Sequence, residues 1–99
     1  MTDTKDYLAI ILLGGGSSWA RGPDAEKAIT DVTKQVKSDW GRLFNLEGVE
    51  VRVNLWDITG NDVVYWDDCG MHADNQEQFP ITKVETRIIT LPGKRKVVA

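Results

Sequence analysis

Pro23-Asp24-Ala25-Glu26-Lys27-Ala28-Ile29-Thr30-Asp31-Val32-Thr33-Lys34-Gln35-Val36-Lys37-Ser38-Asp39-Trp40-Gly41-Arg42-Leu43 is the stretch whose reading decides the fold. Its apolar residues, Ala25, Ala28, Ile29, Val32, Val36, Trp40 and Leu43, recur three and four apart. On a helix of 3.6 residues per turn that spacing makes one continuous stripe. Lys27, Thr30, Asp31, Lys34, Lys37 and Ser38 fall mostly outside it. Pro23 suits the first helical position, with Gly22 before it as cap. Asp24 and Glu26 place negative charge where the helix dipole favours it. The helix is expected to end between Gly41 and Asn45.

Upstream, Tyr7 to Leu13 is short and continuously apolar. It reads as a strand buried on both faces, or as one whose second face meets another molecule. Gly14-Gly15-Gly16 breaks it. Either the glycines turn the chain back, so that Ser17 to Arg21 pairs with the first strand, or Gly14 to Gly22 is one long loop. In the hairpin, which the pattern favours, Ser18, Ala20 and Gly22 share one face, and Trp19 and Arg21 the other.

Downstream, Val49, Val51, Val53 and Leu55 alternate with Glu50, Arg52, Asn54 and Trp56, the period of a half-buried strand. Ile58 to Asp62 supplies turn residues. Val63 to Trp66 then reads as the returning strand, so Val49 to Trp66 is expected to be a hairpin. Asp67 to Gln78 is polar, turn-rich and long for a connection, which marks it as functional or mobile. A last strand runs from Ile81 to Leu91, with Val84, Thr86 and Ile88 on one face, and Pro92-Gly93 ends it. These elements define an α+β domain: an antiparallel sheet of four to five strands packed on one amphipathic helix. The order is ββαβββ, or βαβββ if the glycines form a loop. Residues 1–99 read as a single domain, with 1–6 and 93–99 as flexible termini.

A chain of 99 residues can bury one core. Its 41% hydrophobic and 27% charged residues are those of a folded globular domain. Leu8 to Leu13 is too short to span a bilayer, and Thr2 to Asp6 is not the basic start of a signal peptide. The single cysteine, Cys69, excludes an internal disulfide and a zinc site of several thiolates. A lone thiol suits a reducing compartment, so the expected location is cytoplasmic, without membrane association. The formal net charge of −3 counts against a broad nucleic-acid footprint.

Four places carry side chains with chemical potential. Gly14 to Ser18, a glycine turn between strand and helix, could cradle a phosphate with Arg21 assisting, but it matches neither phosphate-loop spacing, and a hairpin turn explains it. Asp67, Asp68, Cys69, His72 and Asp74 gather the only His, the only Cys and three carboxylates. Asp67, Cys69 and His72 could hold a divalent metal, or His72 could serve as base to Cys69; a solvated acidic loop is the plain alternative. The third place is the aromatic set. Trp56 lies on the outward side of its strand, Trp66 or Tyr65 is expected beside it, and Trp19 joins them if the first hairpin forms, with Arg21, Arg52 and Arg87 nearby. Exposed aromatics on a sheet serve protein interfaces or stack on bases. The last place is the basic tail Lys94-Arg95-Lys96, which reads as a solubilising end.

Trp19-Ala-Arg-Gly-Pro-Asp-Ala-Glu-Lys-Ala-Ile29 resembles the strand–glycine–helix step of HicB-like antitoxin domains. The resemblance covers this stretch alone and implies a hairpin before the helix. One helix covers one face of a sheet, so the other face needs an occupant. The expected function is therefore a small non-enzymatic binding protein acting through sheet aromatics Trp19, Trp56 and Trp66 with Arg21 and Arg52. Its partner would be another protein or a second copy in a homodimer. The alternatives are a metal protein or enzyme centred on Asp67 to Asp74, and a binder of single-stranded nucleic acid. No cofactor is indicated.

Overall fold

The computed structural model describes residues 5–13, 16–67 and 69–91. Strands β1 (Tyr7–Leu13) and β2 (Gly16–Gly22) form the expected hairpin, in unbroken antiparallel register from Tyr7↔Gly22 to Leu13↔Gly16. The helix α1 (Ala25–Trp40) follows, then β3 (Glu50–Asp57), β4 (Val64–Asp67), β5 (Gly70–Ala73) and β6 (Thr82–Thr90). The main sheet is antiparallel and four-stranded, in the order β2-β1-β3-β6, and packs on the one helix. The order ββαβββ holds with one addition, β5, which lies inside the stretch read as a connection.

The helix begins two residues later than Gly22 would set it. Asp24 has an extended backbone, and its carboxylate accepts from the Lys27 amide at 2.8 Å, so Asp24 is the cap. An aspartate oxygen satisfies an amide that Gly22 has no side chain to reach. At the other end Gly41 closes the helix, its N–H donating to Lys37 O at 3.0 Å. Leu43 therefore lies beyond the stripe and is exposed. Ala28, Ile29, Val32 and Val36 are buried against Ala9, Ile11, Val51, Val53 and Leu55 from the facing sides of β1 and β3. These are the alternate residues of each strand, as the pleat requires.

The expected Val49–Trp66 hairpin does not form. The two edges of β3 are taken by β1 and β6, with Asp57 opposite Thr82. The chain after Asp57 instead leaves the sheet and folds over its outer face. There Val64–Asp67 pairs with Gly70–Ala73 as a separate two-stranded sheet. Gly60 makes this exit possible. Its φ of +91° suits glycine, and a side chain there would run into the Phe79 ring. Buried Asn61 secures the two ends of the excursion, donating to Ile58 O and Phe79 O and accepting from the Asn75 amide. A second small core results, in which Leu8, Ile10 and Ile58 are buried with Trp56, Val64, Met71 and Ile81 packed around them. The continuous apolar run of β1 is thus explained from within the chain: its even-numbered residues face this hairpin, with Leu12 left exposed.

Of the termini read as flexible, residues 1–4 and 93–99, and with them the basic tail, lie outside the described residues. Asp6 is fixed: its amide donates to Thr59 Oγ1 at 3.0 Å, and its carbonyl accepts from the Ile58 amide at 2.9 Å.

Candidate functional site

The outer face of the main sheet presents Trp19 and Arg21 from β2, Leu8, Ile10 and Leu12 from β1, and Arg52, Asn54 and Trp56 from β3. Cross-strand partners share a face, and Leu8 stands between Arg21 and Trp56 as Ile10 does between Trp19 and Asn54. The small hairpin covers the middle of this face only. Between it and β2 lies a cleft of about 400 Å³ lined by Leu8, Trp19, Val64, Tyr65 and Trp66, with Arg21 and Asp62 at one end. Trp19 is 51% exposed and Tyr65 53%.

Arg21 builds the cleft. It pairs with the Asp6 carboxylate and donates to the main-chain carbonyls of Asn61, at 2.8 Å, and Asp62. It thereby ties the turn that leads into β4 to the edge strand β2, setting the cleft's width. Its charge is matched by Asp6, which leaves the Asp62 carboxylate at the rim without an ion-pair partner among the described residues.

The structure brings together three of the five residues expected to bind, Trp19, Arg21 and Trp66, and separates the other two. Trp56 is on the outer face as expected, but it is half-buried beside the small hairpin. Trp66 is on β4 and not across a β3 hairpin from Trp56. Arg52 is exposed opposite Ile88, away from the cleft. Leu8, Val64 and Tyr65 complete the cleft. Sequence reasoning passed over Leu8 because it sits in an unbroken apolar run with no period to show which face it takes.

The acidic stretch folds around the turn of the small hairpin. His72 Nε2 lies 3.0 Å from Asp67 Oδ1, and the Cys69 amide donates to the same oxygen at 2.8 Å. Tyr65 stacks on the His72 ring, with centroids 5.1 Å apart. The Cys69 amide, then the His72 ring, hold the Asp67 carboxyl below its ordinary value. Asp74 is spent on the backbone, accepting from the amides of Asp62 and Val63. Asp68 lies outside the described residues. Among those described, no three His, Cys, Asp or Glu side chains come together in a group able to hold a metal.

In the glycine turn, Gly14 and Gly15 lie outside the described residues. Ser18 donates from its hydroxyl to Asp39 on the helix side of the sheet, opposite to Arg21. Ser18 and Arg21 therefore do not converge on one ligand.

No helix among the described residues is long and apolar enough to cross a membrane. Comparison with protein-family models, with characterised proteins and with solved structures gives no match.

Proposed function

We propose that this chain is a non-enzymatic binding protein whose ligand seat is the cleft between β2 and the small hairpin. The observation that carries this reading is the exposure of Trp19, Tyr65 and Trp66 around one apolar cleft whose width is held by Arg21. Large aromatics are costly to leave in water and are enriched where partners bind. Trp19 is the residue to test, because it lines the cleft while leaving both cores untouched. Trp19→Ser should unfold with the midpoint of the wild type and lose capture of the partner. A variant that captures the same partner as well as the wild type sinks the reading.

A second reading, self-association as a homodimer, is favoured by Leu12 and Ile88, which are 60% and 63% exposed on the same outer face. Light scattering across a concentration series tests it: a dimer that becomes monomeric on Ile88→Lys supports it, and a monomer at every concentration removes it.

A further inference from the structure

Resting on the cleft reading, we infer that the occupant of the cleft is an extended peptide that pairs with the free edge of β4, apolar at alternate positions and carrying Lys or Arg at each end.

The small sheet has two strands, and β5 occupies one side of β4. Val63 O accepts from the Asp74 amide at 3.0 Å, continuing the ladder past Val64↔Ala73. Bonding alternates along an antiparallel pair, so Val63, Tyr65 and Asp67 direct their main-chain groups to β5. Val64 and Trp66 direct theirs the other way, to the side on which the cleft opens. Among the described residues nothing bonds to them.

Two of the other edges are protected. On β5, the outward amide of Ala73 is capped by Gln76 Oε1 at 2.6 Å. On β6, the register shifts at Leu55/Trp56, and Lys83, Glu85 and Arg87 line the strand. Bulges and charges of this kind discourage strand addition. On β4 the run Val64-Tyr65-Trp66 carries neither.

The side chains specify the guest. A strand added to β4 would lie over Trp19 and Leu8, and residues opposite Val64 and Trp66 would point down between them, where only apolar groups fit. Asp62 and Asp67 stand at the two ends of the edge, so the complementary charge at each end of the guest is positive. The same acids oppose a phosphate backbone.

The test is titration of the ¹⁵N-labelled full chain with acetyl-Lys-Val-Thr-Val-Thr-Lys-amide, and with the same peptide N-methylated at both valines. The first should move the Val64 and Trp66 amides and the Trp19 indole and slow exchange of those two amides. N-methylation removes the donors facing β4 and should weaken binding by at least about tenfold. Equal binding of both peptides with the Trp19 indole shifted would overturn edge pairing and leave the cleft reading standing. No shift in either spectrum at about 1 mM peptide overturns the peptide proposal, while Trp19→Ser separately decides the cleft. Equal binding of a peptide with Glu for both Lys overturns the charge assignment, and binding of oligo-dT in its place overturns the choice of a peptide.

Discussion

The indole of Trp40 occupies the space that a side chain on Gly16 would take. The last residue of the helix is thereby seated on the first residue of β2. Gly16→Ala should displace the ring and destabilise the fold by about 1–3 kcal/mol, the range for inserting a group into a filled site. Urea unfolding followed by tryptophan fluorescence measures it. An unchanged midpoint would mean that the indole moves aside freely.

The small hairpin depends on a core of its own. Ile58 is fully buried with Leu8 and Ile10, apart from the residues that contact the helix. Ile58→Ala should cost about 2–5 kcal/mol. Amide exchange should then speed up first in β4 and β5, ahead of β1 and β3. Uniform acceleration across all strands would show that the two cores melt as one.

Asp24 offers a smaller, local effect. Its carboxylate supplies the acceptor for the Lys27 amide at the helix start. Asp24→Ala should lower stability by about 1 kcal/mol, and Asp24→Asn should recover most of it. Thermal unfolding of the three proteins distinguishes a lost cap from a general charge effect.

Asp57 sets part of the acid limit. Burial pushes its carboxyl up, but the hydroxyl and amide of Thr59, with the charge of Lys5, outweigh that and hold it below its ordinary value. The Thr59 hydroxyl donates to Asp57 Oδ1 at 2.6 Å. A folded value below the unfolded one stabilises the protein fully above about pH 4, the unfolded value. That contribution disappears as the pH falls through the folded value. Unfolding free energy measured from pH 6 downward should therefore fall below about pH 4, and less steeply in Asp57→Asn. Parallel curves for the two proteins would exclude Asp57 from the acid transition.

The helix and the strands flanking it were legible because each carries its own period. Ala25 to Trp40 repeats at three and four, Val51 to Leu55 at two, and both periods survive because each element has one wet side. Val63 to Trp66 was read as a strand correctly and paired wrongly. Nothing in four residues states which neighbour they join, and the competitor for the edge of β3 lies more than twenty residues away in β6. The cleft was half legible for the same reason. Trp19 and Arg21 follow from alternation in β2, and Leu8 lies beside Arg21 in the β1–β2 register, whereas Trp66 meets them only through the path that Gly60 and Asn61 impose on the chain.

Asp57 and Thr82 stand side by side at the end of the main sheet, and everything between them is an excursion stitched shut at its base by Asn61. A tight turn joining those two residues would leave the helix-side layer intact and bare Leu8, Ile10 and Trp56 on the outer face. The excursion is therefore separable from the scaffold: its sequence can drift, lengthen or be exchanged without retuning the packing beneath the helix.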